Sequence, residues 1–227
     1  MNAKQEEHWT GPQGTAYHER SPGNESANYH FFAQALAEAV MPLQRQTITT
    51  SGVRTILELG AGTGANVRAL EKLYPFAEIT ALELNEQAAK TLKERSPNVL
   101  VHAGANVVTW EPVERYWDVV ITKGLLIHIR PWDLSAVYER IHRAAGRYIL
   151  LAEYYNPTPV DIRYRGEPDL LWKRDFAGEM LDRFTDLRLK DYGFAYHRDD
   201  EAPQDDITWF LLERGAWTKM PPPRETP

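Results

Sequence analysis

The sequence predicts an α/β fold with a seven-stranded, mainly parallel sheet that ends in an antiparallel hairpin. A short apolar run at Thr55–Leu59 is followed at once by a glycine turn and a helical pattern. Four further strand-like runs follow up to residue 155, and together these suggest five alternating β/α units. The last two runs, 187–197 and 207–213, have no helical pattern between them, so we expect them to pair antiparallel.

The glycine turn is the first functional signal. Gly60, Gly62 and Gly64 stand between a strand and a helix N-terminus, where backbone N–H groups and the helix dipole attract an anionic group. The same pattern is a dinucleotide fingerprint, with Glu83 placed to bind ribose hydroxyls. Glu58, inside the first strand, would repel a pyrophosphate and suits the ammonium and sulfonium of S-adenosylmethionine. The C-terminal hairpin also disfavours a nicotinamide dehydrogenase, which more often has a second parallel half.

Composition narrows the function classes. The 227 residues include no cysteine, so disulfides, thiolate metal sites and a catalytic cysteine are excluded. The net charge of −6 argues against non-specific binding to nucleic acid. The polar N-terminus and the lack of a long apolar run predict a cytoplasmic protein with no signal peptide and no membrane partner. The oligomeric state stays open.

The chain divides into an arm, one domain and a tail. Residues 1–24 are rich in glycine and proline, which forbid a long regular element, and form either a loose tail or a lid. Residues 25–215 are expected to form a single domain with an irregular, charge-rich substrate loop at about 156–174. Residues 216–227 are predicted to be disordered. Helices are predicted from Ser26 to Pro42, at 85–95, from Pro131 and at 175–184, and strands at 78–84, 99–104, 117–122 and 148–155.

With these elements placed, the sequence resembles class I S-adenosylmethionine-dependent methyltransferases. Glu58-Leu-Gly-Ala-Gly-Thr-Gly64, Glu83 and Asp118-Val-Val-Ile-Thr122 are similar to their core motifs. A closer resemblance, over nearly the whole chain, is to the pseudaminic acid biosynthesis-associated methylases. It is carried by the arm and by the segments 123–129, 152–159, 173–178, 192–197 and 204–209.

The resemblance implies a Rossmann-like sheet and methyl transfer to a small polar metabolite, such as a sugar acid or nucleotide sugar of surface-glycan or natural-product biosynthesis. We expect this acceptor to be an anion because Arg163, Arg165, Lys173 and Arg174 gather in residues 156–174 of a chain whose net charge is negative. The alternatives are a non-catalytic cofactor-binding scaffold and, less favoured, a nicotinamide oxidoreductase. The glycine turn would cradle the methionine half, and Glu83 would bind the ribose. Ala105 and Asn106 would border the adenine; such enzymes more commonly have an acid straight after the glycine, where this chain has Ala105, and Asn106 could bind the adenine amino group instead. The implied S-adenosylmethionine-binding residues are Trp9, Tyr17, Arg20, Glu58, Gly60, Ala61, Gly62, Gly64, Glu83, Leu84, Ala105, Asn106 and Lys123.

Methyl transfer requires alignment of the reactants and exclusion of water, and a hydroxyl or ammonium acceptor also requires a base. His128 is the preferred base because imidazole titrates near neutrality and the fourth strand ends just before it. A structural histidine that caps the next helix is the alternative. Tyr154 and Tyr155 are the other catalytic candidates, and no metal-site spacing is found. The candidate acceptor-binding residues are Tyr29, His30, Arg163, Arg165, Arg174 and His197.

Overall fold

A computed structural model describes residues 3–20, 23–40, 52–114, 116–164 and 166–215. Its main element is one seven-stranded sheet, and a separate two-stranded sheet lies beside it. The strands are β1 (Thr55–Leu59), β2 (Glu78–Glu83), β3 (Leu100–Ala103), β4 (Trp117–Lys123), β5 (Ala145–Glu153), β6 (Val160–Tyr164), β7 (Glu167–Lys173), β8 (Leu187–Ala195) and β9 (Ile207–Arg214).

Helices surround the large sheet. The described α-helices are α1 (Ala3–Thr10), α2 (Pro12–Arg20), α3 (Glu25–Ala35), α4 (Ala37–Val40), α5 (Ala65–Leu73), α6 (Glu86–Arg95), α7 (Pro131–Ala144) and α8 (Phe176–Arg183). One 3-10 turn, Leu126–His128, follows β4. Within the described part of the chain, every helix is too short or too polar to cross a membrane.

The strand order is β3-β2-β1-β4-β5-β9-β8. The pairs from β3 to β5 are parallel, and β9 is antiparallel to both β5 and β8. Six strands therefore run in one direction and β9 runs against them. This is the Rossmann-like sheet of class I methyltransferases with its antiparallel hairpin, as the sequence predicts.

The core lies on both faces of the sheet. One buried cluster joins Phe31 and Phe32 of α3 and Leu70 of α5 to one face, and a second joins Ile141 of α7 and Met180 of α8 to the other. The strands between them are apolar on both sides, as is usual where helices cover both faces of a parallel sheet. Because the parallel strands run in one direction, their C-terminal ends lie at the same edge of the sheet, where ligands bind in such sheets.

Several predicted elements differ from the structure. Residues 156–174 are not an irregular loop, because β6 and β7 pair there as a hairpin. The β/α alternation is interrupted after β3, since the described residues 104–114 and 116 form turns and irregular backbone. The predicted helix from Ser26 begins at Glu25 and breaks at Leu36. The charged and turn-forming residues of this segment concealed the hairpin, in which β6 and β7 pair with each other.

The arm is also more regular than expected. It forms two short helices, α1 and α2, with the break at Gly11. The glycines and prolines therefore limit helix length without preventing helices. Arg165 and the tail 216–227 lie outside the described residues, as does the side chain of Arg20.

Candidate active site

A cavity of about 450 Å³ opens at the C-terminal edge of the sheet. Its volume lies in the range of about 300–1,000 Å³ typical of small-molecule sites. The glycine turn and the ends of β2 and β4 form its floor, and the arm covers part of it. The sequence-predicted residues that line it are Trp9, Tyr17, Gly60, Ala61, Gly62, Glu83, Leu84, Ala105, Lys123 and His128.

The glycine turn brings bare backbone to the cavity. The N–H groups of Gly60 and Ala61 both donate to the Leu82 carbonyl, at 2.9 and 3.0 Å, which fixes the turn to β2. Gly60 has φ +74°, and a Cβ there would lie 2.9 Å from Leu125 Cδ1. A side chain at this position would therefore be strained and would collide with the turn after β4.

Glu83 is held in place by backbone donors. Its Oε2 accepts the N–H of Gly62 at 2.7 Å, and its Oε1 accepts the N–H of Asn85 at 2.8 Å. Burial raises the pKa of its carboxyl, although these N–H groups oppose the rise. The Asn85 side chain caps α6 and donates to the Trp9 carbonyl at 2.9 Å, so the same corner binds the arm. The carboxylate is thus fixed at the cavity wall, where ribose hydroxyls can donate to it.

Glu58 does not line the cavity, in contrast to its predicted direct contact with the cofactor. It is fully buried, and its Oε1 accepts Nδ2 of Asn66 at 2.7 Å. Asn66 and Lys123 do line the cavity. Burial raises the pKa of Glu58 to about 8, and burial lowers the pKa of Lys123. Glu58 therefore supports the floor of the cavity indirectly, through its hydrogen bond with Asn66.

His128 lies on the 3-10 turn after β4, with its ring at the cavity wall. Its Nδ1 lies 2.7 Å from the Leu170 carbonyl of β7. The Trp9 and Tyr164 rings pack against it, with centroids at 4.5 and 5.4 Å. Burial lowers the pKa of His128 to about 4, so the imidazole is neutral at physiological pH. Because a carbonyl only accepts, the proton of the neutral ring lies on Nδ1 and the lone pair on Nε2.

Glu153, which the sequence prediction missed, holds the turn that carries His128. This buried carboxylate at the end of β5 accepts the N–H groups of Leu125, Leu126 and Ile127 at 3.1–3.3 Å. Burial raises the pKa of Glu153 to about 7, and these N–H groups oppose the rise. The signal was a single acid at the end of an apolar strand, which also fits an ordinary surface residue.

Further cavity residues escaped sequence reasoning because they come from distant segments. They include Asn28 of α3 and Gln204, whose Nε2 donates to Asn28 Oδ1 at 3.2 Å across 176 residues. Asp205 also lines the cavity. Two more residues that line the cavity are His18, whose Nε2 lies 3.9 Å from Glu83 Oε1, and Asn66.

Several predicted cofactor and catalytic residues lie outside the cavity wall. Gly64, with φ +83°, is the N-cap of α5. The Asn106 Oδ1 accepts the N–H of Val108 at 3.0 Å, so its side chain closes a local turn. Tyr154 lies under the β6–β7 hairpin, with Lys173 Nζ 5.1 Å from its ring centroid. Tyr155 packs on Phe210 on another face, at 5.8 Å between centroids. Both tyrosines follow β5, which ends at Glu153.

The acceptor-binding candidates that the structure describes are likewise absent from the cavity wall, and Arg165 lies outside the described residues. Tyr29 packs against the core, and His30 is exposed. Arg163 is exposed on β6. His197 Nδ1 lies 2.9 Å from Asp206 Oδ1, and Arg174 Nε donates to Glu179 Oε1 at 2.7 Å. In the described residues, no group of three or more histidine, aspartate or glutamate side chains is arranged to hold a metal ion.

Comparison with known proteins gives two kinds of similarity. Residues 56–146 match the family described as "Methyltransferase domain". A curated relative, the malonyl-[acyl-carrier protein] O-methyltransferase of Bacillus cytotoxicus, is 27% identical over 121 residues. That match covers 51% of this chain and 40% of the relative, so the chain spans less than half of the relative's length.

Solved structures share the fold over most of the chain. An S-adenosylmethionine-dependent methyltransferase of Leishmania major has a TM-score of 0.66 at 18% identity and covers 92% of this chain and 81% of its own. A Burkholderia thailandensis 1,6-didemethyltoxoflavin-N1-methyltransferase, with its acceptor and S-adenosylhomocysteine bound, has 0.66 at 17% identity, covering 89% and 85%. The magnesium protoporphyrin IX methyltransferase of Synechocystis, with bound S-adenosylhomocysteine, has 0.65 at 11% identity, covering 92% and 98%.

The fold is that of class I methyltransferases. The domain match and the similar proteins reported above are all methyltransferases, and two of the solved structures contain S-adenosylhomocysteine, the demethylated form of S-adenosylmethionine. The cavity fits that group, because it joins an open glycine backbone to a fixed carboxylate suited to ribose hydroxyls.

Proposed function

We propose that this protein transfers a methyl group from S-adenosylmethionine to a small polar metabolite. One observation carries the proposal: a single cavity joins the glycine turn and Glu83 at one side to the His128 ring at the other. The glycine backbone and Glu83 are suited to the methionine and ribose parts. The neutral imidazole, with a free lone pair, is suited to the acceptor.

When bound, S-adenosylmethionine supplies an electrophilic methyl carbon on its sulfonium. The chain's own part is to align the acceptor and to keep water out. Trp9 and Tyr17 of the arm cover the cavity and serve as its lid. His128 Nε2 takes the proton that a hydroxyl or ammonium acceptor releases, whereas a carboxylate acceptor would leave this base unused.

The narrower proposal is that the acceptor is anionic; a sugar acid or a nucleotide sugar is in keeping with the resemblance to the pseudaminic acid biosynthesis-associated methylases. The supporting cation is Lys123, at the cavity wall. Arg163 and Arg174 give this proposal no support, because neither lines the cavity. Action in the cytoplasm, on a free small molecule, is part of the same proposal.

The test is transfer of label from methyl-labelled S-adenosylmethionine to a panel of sugar acids, nucleotide sugars and their uncharged analogues. We expect label in an acidic acceptor and weaker labelling of its uncharged analogue. Calorimetry with S-adenosylhomocysteine and NAD runs beside it, and we expect binding of the first alone. Cofactor binding without label transfer to any acceptor would favour the scaffold, and tight NAD binding would favour the oxidoreductase.

A further inference from the structure

Two distant segments meet at His128. Gln5 of α1 is 2% exposed, and its Nε2 donates to the His128 carbonyl at 3.1 Å across 123 residues. The same Nε2 makes a longer contact of 3.5 Å with the Asp169 carbonyl of β7. The next carbonyl, that of Leu170, lies 2.7 Å from His128 Nδ1. Two consecutive carbonyls of β7, those of Asp169 and Leu170, therefore contact Gln5 and His128 respectively.

The backbone at Asp169 explains how they do so. Consecutive carbonyls of a regular strand point to opposite sides, so one neighbour cannot use both. Asp169 has φ +61°, a left-handed conformation that costs a residue other than glycine about 1–2 kcal/mol. It lies where the β6–β7 register shifts, between the pairs of Ile162 and Tyr164. Such bulges re-aim the groups of a strand and are frequent beside active sites.

We propose that Gln5 and the Asp169–Leu170 bulge are positioning groups that fix His128 as its neutral, Nδ1-protonated tautomer. The Leu170 carbonyl selects the tautomer, because it accepts only from a protonated Nδ1. Gln5 fixes the backbone of His128 against the bulge. In the part of the chain that the structure describes, Nε2 has no hydrogen-bond partner, so its lone pair is left for the acceptor's proton.

The arrangement connects the arm to the base. Gln5 and Trp9 both belong to α1, and both contact His128, through its carbonyl and its ring respectively. The arm is therefore one of the elements that hold His128 in position. This role for His128 in proton transfer rests on the proposed function, whereas its tautomer does not.

The experiment is long-range proton–nitrogen NMR of the full chain labelled with 15N-histidine, without acceptor. In the wild type we expect a protonated, pyrrole-type Nδ1 and a pyridine-type Nε2 that do not titrate between about pH 5 and pH 8. In Gln5→Leu we expect the two nitrogen shifts to move toward each other, as the tautomers mix. The matched control is Gln13→Leu, an exposed glutamine of α2, in which the wild-type shifts should persist.

A second pair of variants avoids the buried position. Asp169 is exposed, so Asp169→Gly removes a side chain that the core does not need and tolerates the left-handed backbone. We expect it to keep the wild-type shifts, whereas the β-branched Asp169→Val should disfavour positive φ and mix the tautomers. A protonated Nε2 in the wild type overturns the proposal, as do unchanged shifts in both Gln5→Leu and Asp169→Val. None of these outcomes bears on cofactor binding, which calorimetry reports separately.

Discussion

The two halves of the cavity are built in different ways. The half formed by the glycine turn and Glu83 uses groups close in sequence, with Glu83 only 21 residues from the N–H of Gly62 that it accepts. The half around His128 is assembled across 123 residues to Gln5, and Gln204 reaches 176 residues back to Asn28. Backbone in short strand–turn–helix units forms the first half, and tertiary packing forms the second. The two halves should therefore fail differently when they are mutated.

The largest expected effect is at the acceptor half. His128→Asn keeps an amide that can still donate toward Leu170 but removes the proton acceptor. With a hydroxyl or ammonium acceptor, we expect kcat to fall by about 10²–10⁴-fold while S-adenosylhomocysteine affinity stays unchanged. In the wild type, the His128 pKa of about 4 means that the rate should fall only as the pH approaches about 4, which is well below the ordinary imidazole pKa.

Steady-state kinetics from about pH 4 to pH 8 measures both expectations. His102→Asn, on β3 away from the cavity wall, is the matched control and should retain the wild-type rate. A normal kcat in His128→Asn with such an acceptor would remove His128 from proton transfer. An acid limb centred near pH 6.5 would instead show an ordinary, solvated imidazole.

The next largest effect is expected at the cofactor half of the cavity. Glu83→Ala removes the carboxylate that the N–H groups of Gly62 and Asn85 hold at the cavity wall. We expect S-adenosylmethionine affinity to fall by about 1–3 kcal/mol, the scale of hydrogen bonds to a charged group. Calorimetry measures this, with Glu94→Ala, an exposed acid on α6, as the control. Equal affinity in Glu83→Ala and wild type would contradict the ribose assignment.

The same contrast explains how far the sequence alone could lead. The run of strands along the chain, the final hairpin and the glycine turn were predictable, because apolar periodicity and three glycines act over a few residues. Glu153 was not, because only the folded chain brings it against the N–H groups of Leu125, Leu126 and Ile127. The ion pair of Arg174 was not predictable from the segment either, because its partner Glu179 lies on α8 rather than in the charge-rich segment itself.

Glu58, which lies beneath the cofactor half of the cavity, should make the free energy of unfolding depend on pH. Its raised pKa means that the folded protein binds this proton more tightly than the unfolded chain. The stabilisation is complete below the ordinary carboxyl pKa and is lost as pH rises toward about 8. Glu58→Gln should therefore be more stable than wild type at about pH 8, by at least about 1 kcal/mol, and equal to it near pH 4.

Urea unfolding at the two pH values measures the free energy of unfolding in each. Glu94→Gln, an exposed acid, is the control and should show the same difference from wild type at both. If Glu58→Gln is no more stable than wild type at the higher pH, Glu58 is an ionised partner of Lys123.

A smaller effect concerns the arm, which touches both halves. The Trp9 carbonyl accepts from Asn85 on the cofactor side, and the Trp9 ring packs on His128. We expect S-adenosylhomocysteine to slow amide hydrogen exchange in 3–20 severalfold, because the bound cofactor adds a surface for Trp9 and Tyr17. Exchange in α7, away from the cavity wall, is the internal reference. Equal arm protection with and without ligand would make the arm a fixed part of the domain.

The smallest expected effect separates structural from functional cations on the acceptor side. Arg174 Nε donates to Glu179 Oε1 at 2.7 Å, and the other oxygen of Glu179 accepts the Tyr138 hydroxyl at 2.8 Å. Both charged side chains are partly buried, so Arg174→Ala should lower the free energy of unfolding by about 0.5–1 kcal/mol. Because Arg174 lies outside the cavity wall, the acceptor KM and the cofactor affinity should not change.

Thermal melting and steady-state kinetics on Arg174→Ala decide between the two roles. Arg188→Ala removes a more exposed arginine, 71% accessible and paired with Glu213, and should change melting less and kinetics not at all. An Arg174→Ala protein that melts normally but shows a raised acceptor KM would return this arginine to the acceptor site. Since guanidinium groups bind carboxylates and phosphates bidentately, that result would also strengthen the anionic acceptor. The opposite result leaves Lys123, at the cavity wall, as the cation on which an anionic acceptor depends.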